Sequence, residues 1–146
     1  VLMAGYKDTS SSDAVYMLDW YAYGIGKVPT KVATTYQNIS DAWSLLIDQK
    51  WHDRITAIKV SDGGLSYVEF FEYRKNKMSI PLFNIYCATG SNREYYAERT
   101  DLIQLGQTTQ AIYFAKLTNE GEQSELALTG DEIKARFSLV NQAWNN

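Results

Sequence analysis

Period-two alternation constrains this chain more than any other feature. Thr56, Ile58 and Val60 lie on one face of a run that stops at "SDGG" (residues 61–64). There Asp-Gly-Gly supplies the positive-φ positions of a tight hairpin. Residues 65–72 run back, "YRKNK" (73–77) makes the next turn, and Met78, Ile80 and Leu82 alternate until Pro81 interrupts them. Ile85 and Cys87 then alternate with Tyr86 and Ala88 up to "TGSN". Successive alternating runs joined by tight turns dictate an antiparallel sheet with one face on the core. Pro81 cannot donate a ladder hydrogen bond, so it marks an edge or a bend.

The flanking segments complete a mainly β order. "AVYMLDWYAYGI" (14–25) is rich in aromatic and β-branched residues and reads as a first strand, and "KVPTKVATTYQN" as a loop around Pro29. In "SDAWSLLIDQKW", Trp43, Leu46 and Ile47 stand at helical spacing behind a Ser40 N-cap, which predicts a short helix after that strand. Residues 93–110 are ambiguous between a strand and a long ordered loop. "AIYFAKL" (111–117) and "SELALT" (124–129) read as strands around Gly121. Thr129 and Glu132 form a capping box. Ile133, Phe137, Val140 and Trp144 follow at i, i+4, i+7 and i+11, predicting a long final helix with one apolar stripe.

With 146 residues the chain can bury about 70% of its unfolded surface as one domain, residues 13–146, behind a lead-in at 1–12. The net charge of −3 argues against duplex nucleic acid and against an anionic membrane surface, since both need basic side chains. The lone Cys87 forms no internal disulfide and suits a reducing compartment. No apolar run reaches the ~20 residues of a membrane-spanning helix.

Catalytic and cofactor motifs are missing, so an enzyme is not expected, nor a metal or cofactor. There is no C-x-x-C, H-E-x-x-H or G-x-S-x-G. Around Gly26 and Lys27 a phosphate loop fails, because Val28 replaces the Mg²⁺-binding hydroxyl and Tyr21 the first glycine. His52, the only histidine, reads as a loop or helix-end residue rather than a general base. A charge cluster of Glu94, Glu98 and Asp101 has no spacing that separates it from a solvated face.

Several pieces in order resemble a phosphotyrosine-binding (PTB) domain of the pleckstrin-homology superfold. They are "VSDGGL", the Pro81, Leu82, Ile85, Tyr86 and Cys87 of "PLFNIYC", the Phe114, Ala115 and Lys116 of "AIYFAKL", and the closing "NQAW". The resemblance implies a seven-stranded barrel of two near-orthogonal antiparallel sheets, with a helix after the first strand and a C-terminal helix as a plug. It also implies an exposed sheet edge at 84–89 that takes an N-P-x-Y-type peptide as an added strand beside that helix. The peptide site would then be Asn84, Ile85, Tyr86, Cys87, Ala88, Phe137, Val140, Asn141 and Trp144, with Ile85 and Cys87 turned inward and Tyr86 and Ala88 outward. Lys77, Arg93, Arg99 and Lys116 are the candidates for a phosphate.

The expected role is that of a cytoplasmic, membrane-proximal adaptor for a protein or peptide ligand such as a receptor tail. Two alternatives stay open: a pleckstrin-like lipid-headgroup or protein binder, disfavoured by the acidic "SDGG" turn, and a secreted β-rich module of cystatin type with no peptide groove.

Overall fold

The computed structural model describes residues 17–74 and 79–140. Within these residues nine strands form two antiparallel sheets. β1 (Met17–Ala22), β2 (Thr30–Asn38), β3 (Trp43–Leu46) and β9 (Phe137–Leu139) make a four-stranded sheet in that order. β4 (Ile55–Asp62), β5 (Leu65–Glu72), β6 (Ile80–Thr89), β8 (Ala111–Leu117) and β7 (Ile103–Gln107) make a five-stranded one, with β8 lying between β6 and β7. Three short helices, α1 (Glu94–Ala97), α2 (Asn119–Glu122) and α3 (Gly130–Arg136), sit in the connections. The mainly β expectation holds, while the sheets do not close into a seven-stranded barrel.

Alternation becomes burial most directly in the hairpins. The β4–β5 register pairs Asp62 with Leu65 across Gly63, whose φ of 58° is the positive value the "SDGG" turn requires. Val68 and Phe70 of β5 and Phe83, Ile85 and Cys87 of β6 turn into the core, where they meet Tyr36, Trp43 and Leu45 from the other sheet. Aromatic rings bridge the two layers: Tyr36 lies 5.1 Å from Trp43 and 5.5 Å edge-on from Phe70, and Phe70 stacks on Phe83 at 4.8 Å.

Pro81 marks a bulge. Phe70 pairs with Phe83 but Phe71 with Pro81, so Leu82 is an extra residue in β6, and Leu82 and Phe83 are both buried although adjacent. The bulge leaves the Leu82 carbonyl to accept from the Thr118 backbone N–H at 3.2 Å and the Thr118 hydroxyl at 3.0 Å, which seats α2 on the strand. Beyond the bulge β6 is no edge: residues 84–88 pair with β5 on one side and β8 on the other. The free edge expected at 84–89 is therefore corrected, because β8, arriving about 30 residues later, uses the hydrogen-bonding groups a peptide would need.

Four further expectations change. Residues 30–38, read as loop, are strand β2. Residues 43–46, read as helix, are strand β3, since Trp43, Leu45 and Ile47 are buried in alternation and Ala42 turns the chain with φ 59°. Only a 3₁₀ turn, Gln49–Trp51, follows. Ser40 is no helix cap but donates to Asn38 Oδ1, which also receives the Asp41 N–H. Residues 124–129 are irregular rather than a strand, held by the Trp51 indole donating to the Leu126 carbonyl at 2.8 Å and by Lys50 donating to the Ala127 carbonyl at 2.7 Å. The ambiguous 93–110 resolves into α1 and β7.

The final helix is shorter than its stripe. The capping box forms as read, with Thr129 Oγ1 accepting from the Glu132 N–H and Glu132 accepting from the Thr129 N–H. α3 nevertheless stops at Arg136, and Phe137 is extended at φ −80° and ψ 138°. Phe137, Ser138 and Val140 are only middling helix formers, and pairing of Phe137 to Leu139 with β3 satisfies their backbone. Phe137 is buried against Trp43 at 5.8 Å. Asn141 and Trp144 lie outside the described residues, as does Lys77.

Glu72 ends β5 with its side chain only 4% exposed, accepting from Arg74 Nε at 2.9 Å and from the Ser124 hydroxyl at 2.7 Å. These bonds, Arg74 first, hold its carboxyl below the usual 4.5. A depressed carboxylate stabilises the fold above its unfolded value and loses that contribution as pH falls through the folded one. Glu72→Gln is expected to cost about 1.5–3 kcal/mol at neutral pH. Urea titrations repeated from pH 7 downward should show the variant's deficit shrinking below about pH 4.5.

Candidate binding face on the five-stranded sheet

Strand alternation divides the sequence-derived site into two faces. Ile85 and Cys87 point into the core with Phe137, as the alternation predicted for the first two. Burial pushes the Cys87 thiol up to about 11, so at neutral pH it is a protonated core residue and no nucleophile. Asn84, Tyr86 and Ala88 occupy the opposite, outer face. Phe137 and Val140 do not flank them: Phe137 is on the inner side, and the half-buried Val140 donates its N–H to the Ala42 carbonyl at 2.9 Å. Phe137 and Val140 thus do not border residues 84–88 as the PTB resemblance implied.

On that outer face, the registers bring residues from four strands into rows. Val60 pairs with Tyr67, Tyr67 with Tyr86, and Tyr86 with Phe114. The rings follow the same line: Tyr67 is 5.1 Å from Tyr86, Tyr86 stacks on Phe114 at 4.8 Å and 7°, and Tyr96 of α1 stacks on Phe114 at 5.1 Å. Tyr95 meets Tyr96 edge-on at 5.4 Å and is itself exposed. The row ends in a hollow of about 530 Å³ lined by Ser91, Asn92, Tyr95 and Tyr96. Below it runs a polar row in which Glu69, Asn84 and Lys116 stand side by side.

This face is neither core nor ordinary surface. Ala88, Leu102, Ile112 and Phe114 form a small apolar cluster at its α1 end, while Ile58, Val60, Tyr67, Phe71 and Tyr86 stay half-buried. Partial burial and the Glu69 carboxylate push the Tyr67 phenol up, which keeps it a protonated donor. Asn84 donates to the Tyr86 hydroxyl at 3.1 Å, and its Oδ1 accepts no hydrogen bond among the described residues. Half-open aromatic rings carrying hydroxyls on a rigid sheet make a surface suited to ring contact and hydrogen bonding together.

Of the expected phosphate ligands, Arg93 and Arg99 lie at the same end with their donors occupied. Arg93 donates to the Gly90 carbonyl at 2.7 Å and the Thr109 carbonyl at 3.2 Å, tying α1 to the 108–110 turn. Arg99 makes a two-pronged contact with Asp101 and lies over the Tyr95 ring at 5.7 Å. Lys116 is exposed, paired in register with Asn84.

A second concavity, of about 690 Å³, lies over β2 and the 3₁₀ turn, with Lys31, Asp48, His52 and Arg136 in its wall. Asp48 accepts from the Lys50 N–H and pairs with Arg136, and exposed His52 faces Asp53 at 3.3 Å. Among the described residues no group of three or more His, Cys, Asp or Glu is arranged to hold a metal ion, and no helix is long and apolar enough to cross a membrane.

Sequence reasoning identified Asn84, Tyr86 and Ala88 and missed Tyr67, Tyr96 and the aromatic role of Phe114. The facing of Tyr67 and Phe114 follows from alternation within each strand, a signal the sequence reading did not use. The row itself depends on inter-strand register. Compared with protein-family models, curated proteins and solved structures, the chain matches none of them.

Proposed function

We propose that this chain is a non-enzymatic interaction domain that binds a protein or peptide segment across the outer face of its five-stranded sheet. The observation that carries this reading is the row of half-open tyrosines Tyr67, Tyr86 and Tyr96, the last two stacked on the buried Phe114 ring, and the hollow at its end. Tyrosine-rich patches on rigid elements supply the anchors of protein interfaces at low entropic cost. The likeness to PTB domains within the pleckstrin-homology superfold is part of the same proposal and makes N-P-x-Y peptides the first ligands to test. The mode differs from theirs, because β6 lies inside its sheet and a ligand meets side chains rather than a free backbone edge.

Tyr86→Ala is expected to weaken the best binder of a tyrosine-containing peptide set by about 2 kcal/mol, or about 30-fold, while the domain still unfolds cooperatively. Because the guanidinium groups of Arg93 and Arg99 are occupied, phosphorylated and plain peptides should bind within about fivefold, the worth of one exposed ion pair. Calorimetric titration of both peptide forms against both proteins makes the test. Equal affinity of wild type and Tyr86→Ala would contradict the proposal.

A further inference from the structure

The β1–β2 hairpin stands apart from the other described residues. Met17 and Tyr36 anchor its base in the core, but residues 20–32 are exposed throughout, on both faces of the ribbon. A two-stranded ribbon alone is marginal in water and usually carries a polar turn. This one does the reverse. The Lys27 N–H donates to the Gly24 carbonyl at 3.0 Å with Gly26 at φ 72°, and that turn lifts Ile25 to the apex. Tyr23, Ile25 and Val28 are 79%, 106% and 86% exposed.

We propose that this hairpin is a wedge that docks the domain on a lipid bilayer by shallow insertion of its tip. The chemistry is ordered by depth along the ribbon. Ile25 and Val28 come first, followed by Tyr23, Tyr21 and Trp20, the residue types that concentrate at the membrane–water interface. Lys27 sits at the tip on a long stem that can carry its ammonium back to the headgroups. The single acidic group, Asp19, lies nearer the body, pairs with Lys31 at 2.7 Å and accepts from the Thr34 hydroxyl at 2.7 Å. With two lysines against one aspartate the hairpin carries +1, opposite in sign to the −3 of the whole chain. Insertion stays shallow because an open ribbon's edge groups have no partners in hydrocarbon. Pairing of β1 with a second copy fits less well: it would leave Ile25 and Val28 in water.

The test is co-sedimentation of the full chain with phosphatidylcholine vesicles, with and without phosphatidylserine. Apolar insertion predicts capture by both compositions with only a modest gain from the anionic lipid. It also predicts a blue shift of tryptophan emission that Trp20→Phe removes. The double variant Ile25→Asp, Val28→Asp should lower partitioning about tenfold or more, since two apolar side chains no longer leave water. Its thermal transition should match the wild type, because the tip packs on nothing in the core. Failure of the wild type to sediment, or equal sedimentation of the double variant, would overturn the proposal. So would a wild-type dimer that does not bind vesicles and that the double variant dissociates, which would assign the hairpin to self-association.

Discussion

Gly121→Ala is expected to destabilise the domain by about 3 kcal/mol or more, the upper range for overpacking a filled site. A Cβ at this position would lie 2.6 Å from the Leu82 Cα and 2.5 Å from Thr118 Oγ1, and would overlap the Leu82 carbonyl oxygen. Two of these three atoms are backbone and cannot rotate away. The third is the hydroxyl that accepts from the Gly121 N–H at 2.9 Å and caps α2. Relief therefore requires α2 to lift from β6 and to give up the bonds from Thr118 to the Pro81 and Leu82 carbonyls. Thermal unfolding followed by circular dichroism gives the loss. Gly26→Ala provides a comparison in which a Cβ meets nothing within 4 Å, so any effect there comes from the positive φ alone.

The second large effect is expected at Trp43. Trp43→Ala should cost about 3–5 kcal/mol, the usual range for removing a large buried aromatic. That is a sizeable share of the roughly 5–15 kcal/mol that separates folded from unfolded domains. Trp43 is 1% exposed and its ring joins three elements, lying 5.1 Å from Tyr36 of β2 and 5.8 Å from Phe137 of β9. Its removal leaves β9 without the ring on which Phe137 stacks, so the C-terminal strand should loosen first. Urea denaturation should show a lower midpoint, and amide exchange should accelerate at Phe137 to Leu139 before the rest of the sheet.

Two local signals in the sequence proved reliable, and readings that depend on distant pairing did not. The "SDGG" hairpin and the Thr129–Glu132 capping box are decided by a few adjacent residues, and both form as read. Residues 43–47 satisfy a helical and an alternating pattern at once, and the neighbouring strands β2 and β9 choose the strand. The same competition ends the last helix at Arg136, because Phe137 finds a backbone partner in Leu45 from the far side of the chain. The inward and outward facing of Ile85, Tyr86 and Cys87 was legible, since alternation is a property of one strand. Whether β6 was an edge was not, because strand order depends on where β8 docks. The aromatic row was hidden for a related reason: Tyr67, Tyr86 and Phe114 come together only through register.

The central claim, that ligands meet the outer sheet face rather than the β6 backbone, is tested most directly by mapping amide chemical shifts while titrating the ¹⁵N-labelled chain with the tightest peptide. The account predicts that the largest shifts fall on Tyr67, Tyr86, Phe114 and Tyr96, with the Ile85 and Cys87 amides keeping their hydrogen bonds and slow exchange. Shifts confined to another surface, or loss of protection along residues 84–88 as β6 gives up a neighbouring strand to the peptide, would contradict it.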